Sequence, residues 1–311
     1  MSKYKRKHKI SLNLGGGAAR GLAHIGVIRA LNEEKIPYDI VIGISMGAII
    51  GSIYCANPDV NFLEEKSIEL IKSEKFKESV IGSWHNDYQK SANNIIKVIN
   101  KFYKQTGIIS KILLSTGILD YDEIDNLLSD YIPDINIEET DFPFVCVAVD
   151  LNKGQSDLFQ EGSIRDAVYA SSSMPLVFAP RVIGNAEYID GGVLDKLGID
   201  ASERLGIPYT IVSDVSNEKI EKKIIRNGLD VMFYMEEIAS RYRRKKQLER
   251  ATVVLNPIHK DIHWSDYSSY REMIDSGYET TKDKIGEIRH KLKTVHPFKK
   301  WFFFEHRKLK K

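Results

Sequence analysis

Gly43-Ile44-Ser45-Met46-Gly47 stands where an apolar run, Tyr38-Asp39-Ile40-Val41-Ile42, meets a helix-like stretch, Ala48-Ile49-Ile50-Gly51-Ser52-Ile53-Tyr54. A strand, a serine flanked by glycines and a helix make a nucleophile elbow, a turn so tight that only glycine fits two residues either side of the serine. The turn holds the Ser45 Oγ clear of the backbone, above the sheet. The helix behind it aims free N–H groups and its positive dipole end at that oxygen, favouring negative charge there. Ser45 is therefore a candidate nucleophile, and the pattern demands a sheet with a helix packed behind its edge.

The rest of the chain follows that architecture. Residues 10–14 read as a buried strand, 19–34 as a helix and 38–44 as a second strand, which makes a βαβ unit. Further apolar runs at 144–149, 209–212 and 252–255 read as strands, and helical patterns occupy 163–170, 200–205 and 223–248. This alternation predicts an α/β fold with a mostly parallel central sheet sandwiched by helices. With 311 residues and 42 % hydrophobic composition, one large domain over residues 9–291 is expected. Residues 58–140 form a helical insertion rich in Lys, Glu and Ile, expected to act as a lid or cap. Inside it, Ile108-Ile109-Ser110-Lys111-Ile112-Leu113-Leu114 reads as a lipid-facing run or as ordinary helix packing.

Net charge is only +2, but it is unevenly placed. Residues 1–9 carry five Lys or Arg and no acid, and residues 297–311 carry six against the single Glu305, so the body between them is acidic. The C-terminal tail, residues 292–311, also holds Phe298, Trp301, Phe302, Phe303 and Phe304. Basic residues interleaved with aromatics suit an anionic membrane surface; a helix end packing its rings on the body is the alternative. Nucleic acid is not an expected partner, and the oligomeric state is not readable. Cys55 and Cys146 both lie in apolar segments and are expected as buried reduced thiols. With no apolar stretch of about eighteen residues, and glycines where a secretory signal would have its apolar core, the expected location is the cytoplasm, peripheral to the inner membrane face if the tails bind lipid.

An acyl-transfer serine needs donors waiting for the oxyanion, best supplied by fixed backbone N–H groups. Gly15-Gly16-Gly17-Ala18-Ala19-Arg20-Gly21 ends the first strand beside the strand that leads to Ser45, so both loops open at the same carboxyl edge. A dinucleotide phosphate loop is the competing reading, but G-x-G-x-x-G fails at Arg20, and no G-x-x-x-x-G-K-[ST] occurs. The serine also needs a base. Tyr188-Ile189-Asp190-Gly191-Gly192-Val193 presents a carboxylate at a strand end, with glycines that let another backbone or a substrate approach; a simple Asp-Gly turn is the alternative. His259 and His263 follow Asp190 in the order of a conventional triad, whereas His24, in a helical pattern, reads as a packed or capping residue.

Together, the Gly15–Gly21 loop, the Ser45 elbow and Asp190-Gly191-Gly192 resemble the patatin-like phospholipase family of the bacterial type. Ala148-Val149-Asp150-Leu151, Ala170-Ser171-Ser172-Ser173-Met174-Pro175, Phe178-Ala179-Pro180 and Val212-Ser213-Asp214-Val215 agree with it as well. The resemblance runs over roughly residues 9–290 and implies a Ser–Asp dyad, with Ser45 as nucleophile and Asp190 as base. It further implies an oxyanion hole built from Gly15, Gly16, Gly17 and Ala18, a loop stiffened by Arg20, elbow glycines Gly43 and Gly47, and supporting glycines Gly191 and Gly192. The implied activity is hydrolysis of acyl esters of phospholipids or lysophospholipids through an acyl-enzyme, without metal or cofactor. A lipid transacylase with the same acyl-enzyme, or a membrane-binding protein without activity, are the alternatives. The sequence departs from the family in one loop, where Lys196 and Gly198 stand in place of the usual Asn and Pro.

Overall fold

A computed structural model describes residues 9–79, 116–119, 121–217, 225, 228–258 and 262–293. The basic tail at 1–8, residues 80–115 with the Ile108–Leu114 run, His259 and the aromatic C-terminal tail lie outside the described residues.

Ten strands are described: β1 (Ile10–Leu14), β2 (Ile40–Gly43), β3 (Gly117–Leu119), β4 (Phe144–Asp150), β5 (Gln155–Phe159), β6 (Leu176–Phe178), β7 (Arg181–Ile183), β8 (Ala186–Asp190), β9 (Tyr209–Ser213) and β10 (Val253–Leu255). The main sheet runs β10-β9-β1-β2-β4-β8-β7, with β5 also paired to β4, and β3 pairs with β6 separately. From β10 to β4 every pairing is parallel, while β5, β7 and β8 join antiparallel. The helices are α1 (Ala23–Glu33), α2 (Met46–Ala56), α3 (Val60–Lys72), α4 (Glu74–Glu78), α5 (Tyr121–Leu128), α6 (Ile164–Ser172), α7 (Ile199–Arg204), α8 (Gly228–Leu248) and α9 (Tyr270–Leu292).

This is the α/β sandwich expected from the sequence. Both faces of the parallel strands are buried, and successive side chains point to opposite faces. On β2, Val41 enters the large core shared with α1, α2, α6 and α9, while Ile40 and Ile42 join a second core with Ala201 of α7. Residues 19–34 are one helical stretch in two parts, since a 3₁₀ turn over Ala18–Leu22 precedes α1. The described parts of the 58–140 insertion are largely helical and dock on the large core through Leu63, Leu70, Phe76, Ile124 and Leu127. Cys55 and Cys146 are buried free thiols, and burial pushes the Cys146 thiol up to about 12. Among the described residues, no helix is long and apolar enough to cross a membrane.

The pairing of β4 brings the serine and the aspartate together. β2 lies along the first half of β4, Gly43 opposite Cys146, and β8 runs antiparallel along the second half, Asp190 opposite Ala148. Because β5 occupies the other edge of β4, β2 and β8 meet end to end on one edge. Two residues beyond Gly43, at the turn into α2, the Ser45 hydroxyl bonds the Asp190 carboxylate.

Candidate active site

The elbow is built by close backbone approach. A Cβ on Gly47 would lie 2.0 Å from the Leu14 carbonyl oxygen, so the turn rests directly on the end of β1. Ser45 itself takes φ 54° and ψ −122°, a conformation costing a non-glycine residue about 1–3 kcal/mol. The surroundings hold it there. Its amide donates to the Ser171 hydroxyl at 2.9 Å, and its carbonyl accepts the amides of Ala48 at 2.8 Å and Ile49 at 3.1 Å, the first bonds of α2.

Asp190 ends β8 and is buried, 8 % exposed. A Cβ on Gly191 would lie 2.2 Å from the Val147 carbonyl oxygen, which is why glycine must follow the aspartate where the chain turns over β4. The Gly192 amide donates to Asp190 Oδ1 at 2.7 Å. Burial raises the Asp190 carboxyl to about 6, against the Ser45 hydroxyl, the Gly192 amide and the Lys196 ammonium, which favour its charged form.

The glycine loop lies against the elbow, a Cβ on Gly16 falling 3.4 Å from the Ser45 Cβ. Its amides are not all available. β1 continues its ladder past Leu14, so the Gly15 amide donates to the Ser213 carbonyl at 3.1 Å, and the Gly16 amide donates to the Lys196 carbonyl at 3.1 Å. This corrects the expectation that Gly15 and Gly16 contribute oxyanion donors, because their N–H groups fasten the loop instead. Gly17 and Ala18 start the 3₁₀ turn, Met46 starts α2, and no protein acceptor faces these three amides among the described residues. All three residues, with Arg20, border the same cavity as Ser45 and Asp190.

Behind the loop sits His24, fully buried, with Nε2 2.9 Å from the Gly15 carbonyl and Nδ1 2.8 Å from the Ser213 hydroxyl. Since a carbonyl can only accept, Nε2 carries the proton and Nδ1 accepts from Ser213. Burial lowers the His24 pKa to about 4 and keeps the ring neutral. His263 is bonded to Ser265 at 2.8 Å, and burial lowers its pKa to about 4 as well. Neither ring borders the cavity. The packed-residue reading of His24 holds, but its bond to the glycine loop had no signal in the sequence, and neither did the Ser171 acceptor.

The cavity has a volume of about 440 Å³, within the range of roughly 300–1,000 Å³ common to small-molecule sites. Leu22, Ile49, Leu70, Ile71, Phe76 and Phe178 give it apolar walls, several from the described part of the insertion. Lys196 also borders it. The loop around this residue is well tied: Gly198 takes φ 68°, Asp195 accepts from the Ala201 amide at 2.8 Å and from Gln247 Nε2 at 2.7 Å.

A mostly parallel sheet between helical layers, with Ser45 on a strand–turn–helix elbow at its carboxyl edge and the buried Asp190 beside it, defines the class: a three-layer α/β protein with a serine and an aspartate on one cavity. The family model described as patatin-like phospholipase matches residues 12–202, and the chain belongs to that family. It is 32 % identical to an uncharacterized NTE family protein of Mycobacterium tuberculosis, over 61 % of this chain and 44 % of that protein. With lysophospholipase nte1 of Aspergillus fumigatus it shares 27 % identity over 67 % of this chain and 12 % of that protein. The chain thus spans less than half the length of these relatives. Among solved structures, VipD from Legionella pneumophila aligns with a TM-score of 0.46 and 14 % identity, covering 91 % of this chain and 67 % of that one.

Proposed function

We propose that the chain hydrolyses the carboxylic esters of phospholipids or lysophospholipids through an acyl-enzyme on Ser45, with Asp190 as the base. The observation that supports this reading is the hydrogen bond of the Ser45 hydroxyl to the buried Asp190 carboxylate, in a cavity with largely apolar walls that Arg20, Lys196 and Glu236 also border. An aspartate with the reference pKa of about 3.9 is a weak base, but one raised to about 6 accepts a proton more readily and is still ionised at neutral pH.

In the proposed reaction, Ser45 Oγ bonds to the ester carbonyl carbon as its proton passes to Asp190. The carbonyl oxygen becomes an oxyanion and accepts from the amides of Gly17, Ala18 and Met46. Collapse of that intermediate breaks the bond to the glycerol oxygen, which leaves with the proton from Asp190. Water then attacks the acyl-enzyme with Asp190 again as base, releasing the fatty acid. The apolar walls hold the acyl chain, and the basic aromatic tails hold the protein against an anionic bilayer.

Intact-mass analysis after fluorophosphonate treatment, alongside release of fatty acid from an oleoyl lysophospholipid, tests the reading. One adduct on the wild type, none on Ser45→Ala and fatty acid released only by the wild type are expected. An unmodified Ser45 with no ester turnover overturns it.

A further inference from the structure

Lys196 is a half-buried lysine whose ammonium makes no direct ion pair among the described residues. It borders the Ser45 cavity, and its side chain makes no hydrogen bond or ion pair with any of them. The carboxylates near it are committed elsewhere. Asp214 is held by Arg244 Nε at 2.7 Å and accepts from the Ser216 amide at 3.0 Å. Asp190 accepts from the Gly192 amide, and Asp195, adjacent in the chain, from Ala201 and Gln247. Burial works against the charge on Lys196, the Asp214 and Asp190 carboxylates favour it, and the cations Arg20 and Arg244 oppose it. An ammonium that borders a cavity and touches no carboxylate directly keeps its three donors for a ligand.

A second, independent feature lies at the same place. Ser216 is 7 % exposed, borders the cavity, and its hydroxyl has no hydrogen-bond partner among the described residues. The chain joins both residues to the glycine loop: the Lys196 carbonyl accepts from the Gly16 amide, and Val215, next to Ser216, lies against Gly17. An ammonium with no direct ion pair and a buried hydroxyl with no hydrogen bond, both beside the glycine loop, are the groups that an anionic oxygen ligand satisfies.

We propose that Lys196, with the Ser216 hydroxyl, binds the phosphate of the lipid substrate and sets a preference for phosphate-bearing over neutral glycerolipid esters. This rests on the acyl-hydrolase reading of the same cavity. The phosphate lies on the same glycerol as the scissile ester, so an anion held beside the glycine loop positions the carbonyl at Ser45.

The test compares 1-oleoyl-lysophosphatidate with 1-oleoylglycerol, each in the same neutral mixed micelles at pH 8, using the full chain. The wild type is expected to favour the phosphate-bearing ester in kcat/KM by about tenfold or more, the worth of one charge-assisted contact. Lys196→Met is expected to remove most of that ratio, Ser216→Ala to reduce it by a smaller factor, and Lys196→Arg to retain it. A ratio unchanged in Lys196→Met overturns the proposal. So does a loss confined to inhibition by free oleate, which would assign Lys196 to the product carboxylate. Binding of the two lipids to Ser45→Ala, with and without Lys196→Met, gives the same comparison without turnover. Failure of the wild type to release oleate, with the binding preference intact and dependent on Lys196, would contradict the hydrolase reading and leave the phosphate site standing.

Discussion

The polar groups buried on the two sides of the glycine loop are treated in opposite ways. Behind it, they satisfy one another. His24 spans the Gly15 carbonyl and Ser213, Asn13 Nδ2 donates to the Gly198 carbonyl at 2.7 Å and approaches the Ser202 hydroxyl at 2.9 Å, and that hydroxyl donates to the Gly198 carbonyl at 2.8 Å. In front of it, the Ser172 and Ser216 hydroxyls have no hydrogen-bond partner among the described residues, the Lys196 ammonium makes no direct ion pair with them, and Ser45 is held at φ 54°. A closed network rigidifies and specifies a fold, whereas unmet polar groups around a cavity are what a ligand can satisfy. The rear network makes the front possible, since strain at Ser45 persists only where its surroundings over-determine it.

The contrast predicts that substitutions in front cost activity and those behind cost stability. The largest effect is expected for Ser45→Ala, which lowers ester turnover by roughly 10⁴-fold or more with little change in melting temperature. Asp190→Asn is expected to lower kcat/KM by about 10³-fold, the size of a lost general base, and to slow fluorophosphonate labelling in parallel. If Asp190→Asn labels as fast as wild type, the dyad is wrong.

Behind the loop, His24→Phe leaves the Gly15 carbonyl and the Ser213 hydroxyl unpaired and is expected to destabilise by about 2–4 kcal/mol in chemical denaturation. Wild-type stability also carries the signature of this ring. Its pKa is about 4 in the folded chain against an ordinary 6.5, so the unfolded chain binds the proton more readily and stability falls as pH drops from about 6.5 towards 4. That slope is expected to be shallower in His24→Phe.

The smallest and sharpest effect separates two serines. Ser202→Ala, behind, breaks bonds to Asn13 and Ser11 and is expected to cost about 1–3 kcal/mol. Ser216→Ala, in front, removes a hydroxyl that bonds nothing among the described residues and is expected to change stability by no more than about 0.5 kcal/mol. Equal costs would erase the distinction.

Much of this was legible in the sequence for a physical reason. Gly43, Gly47 and Gly191 mark places where backbones touch, and that need is local enough to show as a motif. The parallel strands read as continuous apolar runs because both their faces are buried. β5 and β7 did not, since Gln155–Phe159 is half-exposed and Arg181–Ile183 is only three residues long. Long-range register was equally hidden, so neither the meeting of Ser45 and Asp190 nor the loss of the Gly15 and Gly16 amides to Ser213 and Lys196 could be read from spacing. Lys196 stood out only as a departure in a motif; its lack of a direct ion pair among the described residues is a property of the folded chain.

The central claim is that a buried Asp190 activates Ser45, and the pH dependence of fluorophosphonate addition, followed by intact mass from about pH 4 to 9, tests it most directly. A single adduct on Ser45, with a rate that falls as pH drops through about 6 and a midpoint that moves to higher pH when Lys196→Met removes a neighbouring cation, is the predicted result. An acid limb that persists unchanged in Asp190→Asn, or an adduct on another residue, would contradict it.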